Sequence, residues 1–441
     1  MIQTVRILCL FVLIVLSHLA HSTPSHNSAN FTVLDKEHYR NIVITTRHQI
    51  QTLLAKLQQQ RDRNPNAQMA FIARALADIP YSATDAIGEG DWQPRSFTYQ
   101  PNALHINQNP VYRLDKLNCQ SFAEIVLALL ISNNLNQFDR NYLKIAYGAA
   151  SNPNGEIVRY YNRNHFVDGD FNPINQQHSL LIDVTTSNQF EETQTTSALI
   201  TRQQWFQFQF QHLVDNVHVL SKNNGVPMVK RFLTMYSHLD YPHFIAQNVS
   251  ISYLPKQVIA LPLANGGYEP NQALLDAIPT PAVAEIISNV KRWTIHGLNI
   301  KNKIGSELSV PHLGLLYRQQ FRFGDLIYQK IMCHHDASHD TVCQVIPITC
   351  EKTQCNELMF AHATQSHPDG FYWYQASDGQ MTCTRTRPQK QIHYSQCNRV
   401  ETLPLFDYLT EYQYGYYWYM SNPAILGVHI EKISPGVRTL N

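Results

Sequence analysis

Cysteine placement constrains this chain more than any other feature. Of its eight cysteines, Cys9 lies in an N-terminal apolar run, Cys119 stands alone, and Cys333, Cys343, Cys350, Cys355, Cys383 and Cys397 crowd into one C-terminal stretch. What that distribution means depends on the compartment. Arg6, the apolar run from Ile7 to Leu16, and the small residues Ala20 and Ser22 in cleavage spacing read as a secretory signal over residues 1–22. The run is well short of the roughly 20 apolar residues that span a bilayer, and Cys9 lacks the small residues that precede a lipidated cysteine. Export to a periplasmic or extracellular space, with no stable membrane anchor, is the expectation. There the six clustered cysteines predict up to three disulfides, with the pairing open. An unpaired Cys119 is then either buried and inert or used in chemistry.

The rest of the chain predicts an α+β fold. Residues 23–66 form a polar leader and a helix over about 35–63 carrying Ile42, Ile50, Leu53, Leu54 and Leu57; a second helix covers about 67–77. After a Pro-, Gly- and Asn-rich loop from Tyr81 to Tyr112, Phe122, Ile125, Val126, Leu129 and Leu130 fall at helical spacing. Asn118 is placed to cap this helix, so Cys119 lies at its N-terminus. Strands are predicted at 177–184, 249–254, 308–317 and 425–433, and partly helical segments at 203–220 and 273–291. A core over 67–340, a cysteine-rich insertion over 341–402 and a return to the core over 403–441 complete the organisation. Length alone leaves open one elaborated core or two domains. A formal net charge of +1 provides no electrostatic case for nucleic acid or a membrane surface.

A thiol at a helix N-terminus gains partial positive charge and free N–H groups that favour its thiolate. Alone, such a cysteine usually packs as an inert buried residue, and a lone strand histidine is usually satisfied in place. The combination changes that reading. In VPHLGLLY at 310–317, His312 opens an apolar strand and Gly314 permits close backbone approach. A turn at Gly324 and Asp325 leads to a returning strand that ends at His334 and His335, which predicts histidines meeting on neighbouring strands. Nucleophile, base and orienting group are the parts of papain-like catalysis.

LNCQSFAEIVLAL at 117–129, VPHLGLLY, and MCHHDAS at 332–338 resemble, in order, the three motifs of NlpC/P60 cysteine peptidases and amidases. DIPYSAT at 78–84, NRNHFVDGDF at 162–171, ISYLPK at 251–256, FDYL at 406–409 and ILGVHIEKI at 425–433 resemble the DUF1460 group within that superfamily. The resemblance implies a papain-like core with N-terminal helices and an elaborated C-terminal insertion. It also implies an N-acetylmuramoyl-L-alanine amidase acting on peptidoglycan or muropeptides without cofactor or metal. Carried over by position, Cys119 is the nucleophile, His312 the base, and His335 or His334 the orienting residue, since one extra residue separates the histidines from Ala337 and Ser338. Arg163, His165, Phe166, Asp170 and Tyr81 become substrate contacts, with Arg163 clamping a stem-peptide carboxylate. The chain departs from the family at Asn118 and Ser121, where Asp and Thr are usual, and at Gly169 and Phe171 around Asp170. The cysteine-rich insertion has no counterpart in short family members and is a candidate protein-binding surface.

Other readings compete. Related NlpC/P60 enzymes cut the D-glutamyl to diamino acid bond. Cys333, His334, His335, His339 and Cys343 include zinc-ligand types, although export favours disulfides. A non-catalytic wall-binding or host-interaction module would need no Cys119 chemistry. Ser306 and Ser309 lack a nucleophile-elbow context, and the glycosylation triplets at Asn30 and Asn248 are too common to identify a source.

Overall fold

The computed structural model describes residues 36–60, 64–77, 79–82, 111–148, 163–186, 190–205, 246–292, 294–295, 298–335, 341–364, 372–375, 381–384, 394–396, 399–411, 413–414, 417–418, 420 and 422–434. The predicted signal, most of the leader and of the 203–220 segment, His339, and Ala337 with Ser338 lie outside the described residues. No helix among the described residues is long and apolar enough to cross a membrane.

Among the described residues the chain opens with helices α1 Lys36–Gln58, α2 Pro65–Ala75, α3 Cys119–Leu130 and α4 Leu135–Tyr147. Their starts are written in the sequence. Asn64 accepts from Ala67 N at 2.8 Å ahead of Pro65, and Asn134 accepts from Gln137 N at 3.0 Å, so each polar cap satisfies a helix-end N–H that has no partner within the helix. A short α5 (Asn172–Gln177) follows one π turn over Val167–Phe171.

Strands β1 Leu181–Asp183, β2 Gln194–Ile200, β3 Gln247–Pro255, β4 Ala282–Ser288, β5 His312–Arg322, β6 Leu326–His335, β7 Thr341–Thr349, β8 Gln354–Thr364, β9 Tyr372–Gln375, β10 Met381–Thr384, β11 Tyr394–Gln396, β12 Arg399–Pro404 and β13 Ile425–Ile433 build two sheets. The main antiparallel sheet runs β12-β8-β5-β4-β13-β3-β2, with β1 also paired to β13. A second sheet runs β6-β7-β10-β9-β11. On one face of the main sheet, Val283, Ile287, Leu313, Leu315, Tyr317, Met359 and Ala361 join Phe122, Ile125, Val126 and Leu129 of α3 in one core. On the other, Ala284, Ile286, Leu316 and Phe360 pack on Leu405, Tyr408 and Leu409 of helix α6 (Leu405–Glu411).

Three predicted boundaries change. The 273–291 segment is helical only over Gln272–Ala277 and then becomes strand β4, buried at all seven positions. A strand covered on both faces loses its alternation, so its apolar run cannot be told from a buried helix by period. At 177–184 the strand is confined to Leu181–Asp183, because α5 occupies the residues up to Gln177. The 341–402 stretch is not all insertion: β8 enters the main sheet between β5 and β12. The Cys350–Cys355 disulfide closes the connection from β7 to β8.

At Gly314, a Cβ would lie 2.6 Å from Ala361 O and 2.5 Å from the Phe360 ring. The missing side chain is what lets β5 and β8 approach beside His312, as its place in the sequence predicts. Gly314→Ala should destabilise the fold by about 1–3 kcal/mol in urea denaturation, because backbone and a packed ring must both yield. An unchanged midpoint would mean that β8 has room to move.

Candidate active site

The start of α3 is arranged around one sulfur. Asn118 Oδ1 accepts from Ser121 N at 2.7 Å, and Ser121 Oγ accepts from Asn118 N at 3.0 Å, a reciprocal capping box made by the two residues that depart from the family pattern. The cap uses the N–H of the third helical residue and leaves those of the first two. The N–H groups of Cys119 and Gln120 point at the half-buried Cys119 sulfur, and the N–H of Leu313 joins them from β5. The sulfur therefore lies by the N–H of Leu313, the residue that follows His312 on β5. Three peptide donors favour a thiolate, but burial outweighs them and pushes the Cys119 thiol up to about 11.

The His312 ring sits beside Tyr408, Phe360 and His362. Its Nε2 lies 2.9 Å from His362 Nδ1, and His362 Nε2 lies 3.8 Å from Glu401 Oε1 on β12. If His312 is to accept a proton on Nδ1, its hydrogen is on Nε2 and is donated to His362 Nδ1. The hydrogen of neutral His362 is then on Nε2, facing Glu401. Burial holds His312 down to about 3, and burial together with His312 holds His362 well below the usual histidine range. Thiol and imidazoles are all neutral at neutral pH.

His334 and His335 do not reach this chain of groups through the strand pairing that the sequence predicts. β6 turns away from β5 into the second sheet, where His334 and His335 pair with Val342 and Thr341 of β7. The strand that returns beside β5 is β8, and its histidine is His362. The sequence signal was present as His362-Ala363-Thr364 in the apolar run LMFAHAT, but the similar HHDAS came first along the chain.

Other predicted contacts divide sharply. Arg163 is buried and ion-paired with Glu124 of α3, with Tyr147 Oη 3.2 Å from Nη1. A guanidinium already committed inside the core has no face left for a substrate carboxylate. Burial pushes Glu124 up, opposed by Arg163; burial alone would lower Arg163, but Glu124, Tyr142 and Tyr147 together outweigh it and keep it charged. Phe166 is buried in a small cluster with Ala198, Ile200 and Val249. Asp170 is held by Arg202 and by the Phe166 N–H, at 3.1 Å. Two residues lie on segments joined to the start of α3. Gln120 donates to Glu124 Oε1 at 3.0 Å and also to Asn164 O, which ties the segment carrying His165 to the helix start. The half-buried His165 ring lies 4.4 Å from that of Trp205. Tyr81 forms a parallel bridge with Leu117 and is half-buried against the core that Cys119 also touches.

Two outcomes follow. Iodoacetamide labelling of Cys119 should accelerate continuously as pH rises toward about 11. A rate plateau between about pH 5 and 8 would instead signal a preformed thiolate–imidazolium pair. Arg163→Ala should cost about 3–5 kcal/mol in urea denaturation, since it strands the buried Glu124 carboxylate; a loss below 1 kcal/mol would place that carboxylate in contact with water.

A family model described as AmiA-like, N-acetylmuramoyl-L-alanine amidase-like, matches residues 95–346. A Legionella pneumophila protein of the DUF1460 family shares the fold at 22% identity, with a TM-score of 0.55 over 90% of this chain and 97% of its own. An N-acetylmuramoyl-L-alanine amidase from Bacteroides uniformis aligns at 16% identity over 84% of this chain and 98% of its own, with a TM-score of 0.35. Comparison with curated proteins finds no match. The family match covers more than half of the 441 residues and includes both Cys119 and His312, and the chain belongs to the N-acetylmuramoyl-L-alanine amidase-like family.

Proposed function

We propose that this protein is a cysteine amidase of NlpC/P60 type that cuts the amide between N-acetylmuramic acid and L-alanine in peptidoglycan or its soluble fragments. The observation that carries the reading is the Cys119 sulfur at the His312–Leu313 peptide, cradled by three N–H groups and followed by the His312, His362 and Glu401 chain. The N-terminal apolar run supports export, which would bring the protein to its substrate.

Substrate arrival moves the Cys119 proton to His312 Nδ1, and the sulfur attacks the lactyl carbonyl carbon. The carbonyl oxygen becomes an oxyanion, and peptide N–H groups at the start of α3 stabilise it. His312 then gives its proton to the departing L-alanine nitrogen, the C–N bond breaks, and a thioester remains on Cys119. Water loses a proton to His312 and attacks the thioester, the C–S bond breaks and His312 returns the proton to sulfur; the lactyl carboxylic acid leaves and gives its own proton to solvent. His362 keeps the hydrogen of His312 on Nε2 throughout, and Glu401 stabilises the imidazolium from one step further out. His165 on Trp205, and Tyr81, provide the apolar and polar surface for sugar or stem peptide.

Incubation of the full chain with a defined muropeptide, read by mass spectrometry, should release the intact stem peptide bearing a free L-alanine amine. Cys119→Ala should abolish release, His362→Ala should lower kcat by about 10²–10⁴-fold, and His335→Ala should leave it unchanged. Cleavage after D-glutamate would make the enzyme an endopeptidase, and full release by Cys119→Ala would remove the cysteine mechanism.

A further inference from the structure

A second polar cluster lies under the main sheet and takes no part in the Cys119 chemistry. His429 and Glu431 stand two apart on β13 and so share a face. Asp183 of β1 is the register partner of Glu431, and Glu285 of β4 that of His429. His429, Glu431 and Glu285 are buried to 2% exposure or less, which is costly for charged groups that lack compensation.

The geometry says what is missing. His429 Nδ1 lies 2.7 Å from Ser252 O. A carbonyl only accepts, so Nδ1 carries hydrogen and donates, and the lone pair of the neutral ring is on Nε2. That atom faces Glu431 Oε1 at 3.1 Å and Asp183 Oδ1 at 3.9 Å. An acceptor opposite two acceptors holds a cation between them, either a proton on the ring or a metal ion. A proton on Nε2 serves only the nearer oxygen, because 3.9 Å is too long for a hydrogen bond. Even then, Glu431 Oε2 and Glu285 Oε1 remain buried with no hydrogen-bond partner.

We propose that Asp183, His429 and Glu431 bind a divalent transition-metal ion of the zinc class as a structural clamp between β1 and β13. One ligand atom from each lies within 4.8 Å of the others; ligands about 2.1 Å from a tetrahedral centre are about 3.4 Å apart, between the two measured separations. Two carboxylates and a neutral imidazole balance a dication. Imidazole nitrogen with carboxylate oxygen suits zinc better than calcium or magnesium. The supporting shell is present: Ser252 fixes the histidine tautomer, and Gln176 Nε2 donates to Glu431 Oε1 at 2.5 Å. The Asp183 side chain is 28% exposed, which supplies an entry path and room for a water ligand.

The test uses the purified full chain, stripped with chelator and titrated with zinc chloride. One zinc per chain should bind, raise Tm, and show X-ray absorption from nitrogen and oxygen ligands only. Asp183→Asn, at the partly exposed ligand, keeps the fold testable and should weaken zinc binding at least about tenfold. Wild-type protein that takes up no zinc, an unchanged affinity in Asp183→Asn, or a sulfur ligand, which would move the ion to the Cys333 and Cys343 region, each overturns the proposal. None of these readouts depends on amidase activity.

Discussion

Glu124 and Arg163, a buried carboxylate and a buried guanidinium, tie the catalytic helix to the rest of the molecule. Glu124 sits in the second turn of α3, and Arg163 begins the segment that runs through His165 and the π turn to α5. Neither ion is tolerable there alone, so helix and segment must dock in one register. Tyr142 donates to Glu124 Oε2 at 3.0 Å, and Gln120 takes its other oxygen. The pair specifies a position more than it adds stability, since desolvation consumes much of its attraction. The position it specifies is that of the Cys119–Gln120 peptide, whose N–H is one of those cradling the sulfur.

The sulfur itself is governed by two opposed effects at one point. Free N–H groups at the helix start lower the cost of a thiolate, while packing against β5 raises it, and packing prevails in the unliganded protein. The same packing keeps His312 and His362 neutral. A neutral thiol is far less reactive than a thiolate toward passing electrophiles and oxidants.

What was legible in the sequence was local. The 3.6-residue period of Phe122 to Leu130, with Asn118 before it, located α3 and put Cys119 at its start. The apolar run with His312 and Gly314 located the start of β5, and β13 lies at Ile425–Ile433 as predicted. What was not legible depended on pairing across the chain. His362 joins His312 because β8, rather than the adjacent β6, pairs with β5, and sequence order favoured the nearer histidines. Arg163 read as a substrate clamp because its motif resembles one of the family and a planar guanidinium suits a carboxylate. Its partner Glu124 is 39 residues away on an apolar helix, and nothing local marks the two as a pair.

The two histidine sites also show how surroundings decide what a buried imidazole can do. Burial dominates around His312, whose Nε2 partner is another imidazole, and its free lone pair makes it a base. His429 has Nε2 facing two carboxylates, and against the effect of burial Glu431, Glu285 and Asp183 raise it to about 9, so it cannot serve as one more neutral base. The sites are mechanically joined. Register pairs Leu313 of β5 with Glu285 of β4, and Glu285 with His429 of β13. The peptide that donates to the Cys119 sulfur is therefore two strands from the polar cluster. Whatever fixes β13 against β1 also fixes, through a shared ladder of backbone hydrogen bonds, the Leu313 peptide that faces the Cys119 sulfur.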